Sequence, residues 1–92
     1  MTLHEFMVYP DAFSAEHNTS NGYFCMATSA ESAAKQACAR WKWADNFGEM
    51  RADRRVGGMV YVCDKSGNVW AIQIRATPSW SYAPLKRYRV KS

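Results

Sequence analysis

Residues 59–77, MVYVCDKSGNVWAIQIRAT, decide the fold. In an extended chain Trp70, Ile72, Ile74 and Ala76 share one side, and Val69, Ala71, Gln73, Arg75 and Thr77 share the other. That period-2 split predicts a strand over 69–77 with one strongly apolar face. The apolar run 59–63 predicts a partner strand. Between them, Asp64-Lys65-Ser66-Gly67-Asn68 reads as a tight hairpin, with Gly67 placed for the left-handed position of a type I turn and bulge. An antiparallel sheet is therefore the organising element.

Working toward the N-terminus, residues 28–45 carry helix signals. Thr28 or Ser29 can accept from free backbone N–H groups, and Thr28-x-x-Glu31 fits a capping box with Glu31 at the positive end of the helix dipole. Ala30, Ala33, Ala34, Ala37, Cys38, Trp41 and Ala44 recur at three- and four-residue steps and predict one apolar face of a helix ending near Asp45. Its alanines allow close approach to a sheet. Lys35, Gln36, Arg40 and Lys42 take the opposite face, and Trp43 lies off the apolar stripe. Before the helix, 3–9 and 23–28 read as strands, joined through a polar loop at 14–22 that ends in the turn dipeptide Asn21-Gly22.

After the helix, 46–58 is a charged connector expected to form a loop with at most one helical turn. Pro78 ends the strand at 69–77, and 78–84, PSWSYAP, is expected to be a Pro-bounded aromatic loop. Residues 85–91, LKRYRVK, form a short fifth strand in this reading. Arg87, Arg89 and Lys91 share one side with Leu85, while Lys86, Tyr88 and Val90 take the other. Clustered charge suits a sheet edge, because it resists pairing with other chains. The order β-β-α-β-β with a basic tail predicts an α+β fold: one two-layer domain over 1–92, with a mostly antiparallel four- to five-stranded sheet and one Ala-rich helix packed on it.

Charge is unevenly placed. Residues 1–34 hold four acids and no Lys or Arg, 35–64 hold six bases and four acids, and 65–92 hold six bases and no acid. These segments carry −4, +2 and +6, within a net charge of +4. A globule with an acidic and a basic side is the expected outcome, and a basic face attracts phosphates or acidic proteins. Thirteen aromatic side chains, four Trp, five Tyr and four Phe, exceed what one small core absorbs, so some are expected at the surface as interaction anchors.

Few chemistries are indicated. His4 and His17 lie in no recognisable Cys-His or Ser-His context, and the acids are scattered singly. Cys25, Cys38 and Cys63 form no CxxC pair and read as reduced, structural cysteines. No phosphate-cradling Gly loop occurs. No catalytic site, metal or cofactor is therefore predicted. No run approaches the ~20 apolar residues that span a bilayer, and the opening MTLHEFMVYPDAF lacks the pattern of a signal peptide, so a cytoplasmic monomer without membrane contact is expected.

The candidate contact residues come from charge and aromatics. Lys86, Arg87, Arg89 and Lys91 around Tyr88 form one cluster that can hold phosphates and stack an unpaired base. Arg51, Arg54 and Arg55 form a second, and Trp43, Trp80 and Tyr82 are possible stacking residues. A plain structural alternative stands beside each. The tail can be a solvated edge strand, and Arg51, Arg54 and Arg55 can be salt-bridged locally to Glu49 and Asp53. Trp41 and Trp70 read as core.

The opening MTLHEFMVYPDAFSAEH, the helix SAESAAKQACARWKW and the hairpin VYVCDKSGNVWAIQI, in a chain of 92 residues, resemble small phage-encoded anti-CRISPR proteins that inhibit the type I-F surveillance complex. The likeness runs along the whole chain and includes no catalytic motif. It implies a non-enzymatic inhibitor in the bacterial cytoplasm. Such an inhibitor binds a multi-subunit, guide-RNA-loaded complex at its backbone, large or tail subunits, with guide RNA as a possible contact, and blocks target-DNA recognition. It supplies no residue signature. Two other readings compete: a stand-alone protein that binds single-stranded nucleic acid through its basic C-terminal segment, and a regulatory protein that dimerises by pairing its edge strand.

Overall fold

The computed structural model describes residues 2–42, 49–50, 56–77 and 81–91. The element order is β1 (His4–Tyr9), α1 (Ala12–His17), β2 (Tyr23–Ala27), α2 (Ala30–Trp41), β3 (Glu49–Met50), β4 (Val56–Asp64), β5 (Val69–Thr77) and β6 (Ser81–Lys91). Five strands lie in the order β2-β1-β4-β5-β6, and the two-residue β3 pairs β4 beside this path. Every pairing is antiparallel. The fold is α+β, as the patterning of 59–77 and 28–45 predicts.

The predicted β4–β5 hairpin forms, with Val60 opposite Ile72 and Val62 opposite Trp70. Gly67 takes a φ of +90° and donates its N–H to the Asp64 carbonyl. Only glycine takes that conformation without steric strain. The Asp64 carboxylate accepts from the Ser66 and Asn68 backbone N–H groups at 2.9 and 3.0 Å. The turn is thus held by one acid that satisfies donors a hairpin would otherwise leave to water.

One sheet face is covered by α2. Ala33, Ala34, Ala37 and Cys38 are fully buried, in one cluster with Val8, Val60, Val62, Ile72 and Ile74. Methyl side chains let the helix sit close, and the branched residues of the central strands fill the layer. Ser29 is the N-cap and accepts from the Ser32 N–H at 3.1 Å. The capping box from Thr28 is therefore not formed. Glu31 lies within the first turn, one position short of the box, and its carboxylate is released for another partner. The helix closes at Trp41 with Lys42 left-handed, earlier than the expected end near Asp45.

Three other expectations are corrected. The stretch 14–22 is not all loop: Ala12–His17 is helical, because Asp11 caps it by accepting from the Ser14 N–H at 2.7 Å. This short helix lies against β1 and β4 on the face opposite α2, so the sheet carries helix on both sides. The strands β1 and β2 pair as expected, but through this helix rather than a tight hairpin, and Gly22 lets the Tyr9 ring pack close. A Cβ at Gly22 would stand 2.6 Å from Tyr9 Cε1. The connector 46–58 ends in strand from Val56, and Ser81–Pro84 belong to β6 instead of an aromatic loop.

Candidate nucleic-acid and partner interface on strand β6

Strand β6 is an edge of the described sheet and carries most of the tail's charge. Its pairing with β5 shifts register twice, between Ile72 and Ile74 and between Val69 and Trp70. The first shift sets Leu85 and Lys86 against Gln73 alone, and the second leaves Val90 as the extra residue. These bulges break the simple alternation expected over 85–91. Lys91 falls opposite Val69, so the register of Arg87 and Arg89 is not continued to the end of the strand. Bulges and a proline at position 84 also fit an edge that resists pairing with another strand.

Between the bulges the phase is regular. Arg89 is opposite Trp70 and Arg87 opposite Ile72, which turns both toward the α2 side of the sheet. Both guanidinium groups stack on one indole: Arg87 Cζ is 4.4 Å from the Trp70 ring centroid, and Arg89 Cζ is 5.1 Å. Arg87 Nε lies 3.5 Å from Glu31 Oε2 at the start of α2. Arg89 Nη2 donates to Asn68 Oδ1 at 2.6 Å, and Asn68 Nδ2 donates to Asp64 Oδ2 at 3.0 Å. Trp70 is partly buried against the core.

Asp64 therefore anchors this constellation. Partial burial alone would raise its carboxyl pKa, but hydrogen bonds from the Asn68 side chain and backbone, the Trp70 indole and the Ser66 backbone outweigh it and hold the pKa below its ordinary value. A charged acid thus orients Asn68 and Trp70, and these orient Arg89. The Arg87–Glu31 pair is more than a third exposed on both sides, so water screens it and its contribution is small.

Tyr88 pairs with Ala71 on the other face and is about half exposed, as are Val90 and Leu85. Tyr88 therefore does not share the surface of Arg87 and Arg89. Lys86 is exposed at the first bulge. Of the remaining candidates, Trp43, Arg51, Arg54, Arg55 and Trp80 lie outside the described residues. Tyr82 is buried, opposite Ala76, and belongs to the core.

The charge asymmetry also resolves differently from its expectation. Glu5 pairs with Lys65 at 3.0 Å and Glu31 with Arg87 at 3.5 Å. Two N-terminal acids thus sit against two C-terminal bases, because β1 lies beside β4 near the hairpin and the start of α2 reaches β6. The basic segment is partly matched within the molecule, and an exposed cationic strip remains at Lys86, Arg87 and Arg89.

Sequence reading missed three contributors to this site. Trp70 was assigned to the core by its period, which is correct, but its place at the start of β5 also leaves the ring available to two cations. Asn68 read only as a turn residue, and Glu31 only as a helix cap. Each gains its second role from the β5–β6 register, which bulges set and no local pattern displays.

Elsewhere, a groove of about 700 Å³ lies between α1 and the open sheet face, lined by Ala12, Ala15, Tyr61, Cys63, Val69 and Val90. His4 lies edge-on to Phe6, and His17 stacks against Phe13. Burial pushes the Cys38 thiol up to about 12 and raises that of Cys25. Tyr9 is raised by burial and then by Cys63 nearby. Among the described residues, no three acids, histidines or cysteines gather as a metal site, and no helix is long and apolar enough to cross a membrane. Comparison with protein-family models, curated proteins and solved structures finds no match for the chain.

Proposed function

We propose that the protein is a non-enzymatic inhibitor that docks on a guide-RNA-loaded type I-F CRISPR surveillance complex in the bacterial cytoplasm and blocks target-DNA binding. The observation that carries this reading is the exposed cationic strip of β6, with Arg87 and Arg89 held over Trp70. Such a strip supplies both oriented donors and a large anchor, the composition of binding hot spots. The full-length resemblance to small anti-CRISPR proteins supplies the partner. A guide-loaded complex presents RNA phosphate, which suits the cationic strip left exposed on β6.

The test is target-DNA binding by the guide-loaded complex with and without this protein. Wild-type protein abolishes DNA binding, and the variant carrying Lys86→Glu, Arg87→Glu, Arg89→Glu and Lys91→Glu loses that effect. Equal inhibition by the variant removes β6 from the interface. A second reading, a stand-alone binder of single-stranded nucleic acid, is favoured by the same arginine pair. It predicts micromolar or tighter binding to naked oligonucleotides, falling steeply with salt.

A further inference from the structure

We infer that Arg87 and Arg89, stacked on Trp70, form a clamp for one backbone phosphate of single-stranded RNA, and that Glu31 is a built-in competitor occupying the clamp until the phosphate displaces it. This inference rests on the reading of β6 as the nucleic-acid-facing strand and assigns it a chemical site.

The geometry is specific. Two like charges are held over the same indole, 4.4 and 5.1 Å from its centroid, although they repel each other. An anion shared between them relieves that repulsion. Guanidinium groups present planar forks that match phosphate oxygens two at a time. Arg89 is tethered through Asn68 to Asp64, and Arg87 rests on the Trp70 ring. A preorganised pair loses little side-chain freedom on binding. Arg89 contacts only a neutral amide oxygen in this network, while Arg87 lies 3.5 Å from a carboxylate. Glu31 reaches Arg87 because Ser29 rather than Thr28 caps the helix, so its carboxylate projects from the first turn instead of closing a capping box.

Glu31 then acts as a selectivity filter. A weak anion must displace the carboxylate to engage both arginines. A phosphodiester next to others in a strand brings higher local anion density and does so more readily. An exposed pair of this kind is weak, so removing Glu31 tightens phosphate binding by about two- to sixfold. One phosphate held by one or two cations gives a shallow salt response, about three- to sevenfold weaker binding from 50 to 200 mM salt. The dissociation constant for a short naked strand is on the order of 10⁻⁴ M, far weaker than a dedicated single-strand binder requires.

The experiment titrates the intact, ¹⁵N-labelled protein with octauridine RNA and, separately, with octaglutamate, following indole and guanidinium resonances by NMR. The Trp70 indole signal is identified by its loss in Trp70→Phe. The expected result is a saturable shift of the Trp70, Arg87 and Arg89 signals with octauridine. Arg87→Gln and Arg89→Gln each weaken binding about tenfold, Arg87→Lys weakens it nearly as much, and Glu31→Gln tightens it. Spectra of each free variant confirm the fold. No shift at these residues, unchanged or weaker binding in Glu31→Gln, or tighter binding of octaglutamate than of octauridine overturns the clamp.

Co-elution of the same variants with a guide-loaded type I-F complex separates this inference from the function it builds on. Co-elution by wild type, with no octauridine shift at Trp70, Arg87 and Arg89, leaves the inhibitor standing and removes the clamp. Octauridine binding with the predicted variant pattern, but no co-elution by wild type, keeps the clamp and removes the inhibitor.

Discussion

Replacing Ala34 with leucine tests whether the alanine stripe of α2 sets the distance between helix and sheet. Ala34 is fully buried, as are Ala33, Ala37 and Cys38 beside it and Val8, Val60, Val62, Ile72 and Ile74 in the same cluster. Ala34→Leu adds three carbons where no side-chain surface is exposed. Either the leucine adopts a poor rotamer or the helix lifts, and overpacking of this kind costs about 1–3 kcal/mol. In a domain of this size each kcal/mol lowers the melting midpoint by roughly 4–8 °C, so the expected fall is roughly 4–24 °C. The assay is thermal unfolding followed by circular dichroism, with urea unfolding as a second measure. The control is Lys35→Leu, one residue away on the exposed face of the same helix, where the change stays within about 0.5 kcal/mol. An Ala34→Leu protein as stable as wild type, or a control that falls equally far, refutes the close seating of α2.

Further outcomes follow from the same structure. Because burial raises the Cys38 thiol to about 12, folding disfavours its thiolate: this contribution to stability is intact below the unfolded value near pH 9 and is lost as pH rises from 9 toward 12. Thiol labelling at pH 8, read by mass spectrometry, modifies half-buried Cys63 first and Cys38 only on unfolding. Asp64 runs the opposite way: its lowered pKa gives stability that is present above about pH 4 and lost as pH falls further, so Asp64→Ala destabilises by about 1–2 kcal/mol at neutral pH and flattens the acid limb of the stability profile. Gly22→Ala drives a methyl into the Tyr9 ring and lowers stability by about 1–3 kcal/mol in urea unfolding. Light scattering gives the mass of a monomer, since the bulges and Pro84 on β6 spoil a continuous pairing edge.

Much of the architecture was legible because its signals are local. The alternation across 69–77 and the Asp64–Asn68 turn specify a hairpin whose register needs nothing distant. The alanine stripe needs only the helical period. What escaped depended on distance or on a small competition between caps. The Asp11 carboxylate starts α1, but six residues of helix with Phe13 exposed carry little apolar period. Thr28 and Ser29 are both able caps, and choosing Ser29 moves Glu31 from a box into reach of Arg87.

The candidate site divides in the same way. Lys86, Arg87 and Arg89 were legible as a cationic cluster from composition alone. The shared side of Arg87 and Arg89 was legible from the alternation as well, but the two bulges that shift the phase of β6 were not, since no residue between 85 and 91 announces them. Tyr88 stands on the side opposite both arginines, as the alternation predicts, so it is not the ring they stack on. The partner is Trp70, nineteen positions before Arg89 and directly across the ladder. An acidic and a basic side were expected from linear charge segregation, and the sheet order folds part of each onto the other.

The most direct test of the central claim is size-exclusion chromatography of this protein mixed with a purified, guide-loaded type I-F surveillance complex, followed by a target-DNA binding assay on the eluted fraction. The expected result is that the protein travels with the complex and that the fraction no longer binds target DNA. Separate elution with DNA binding intact contradicts it.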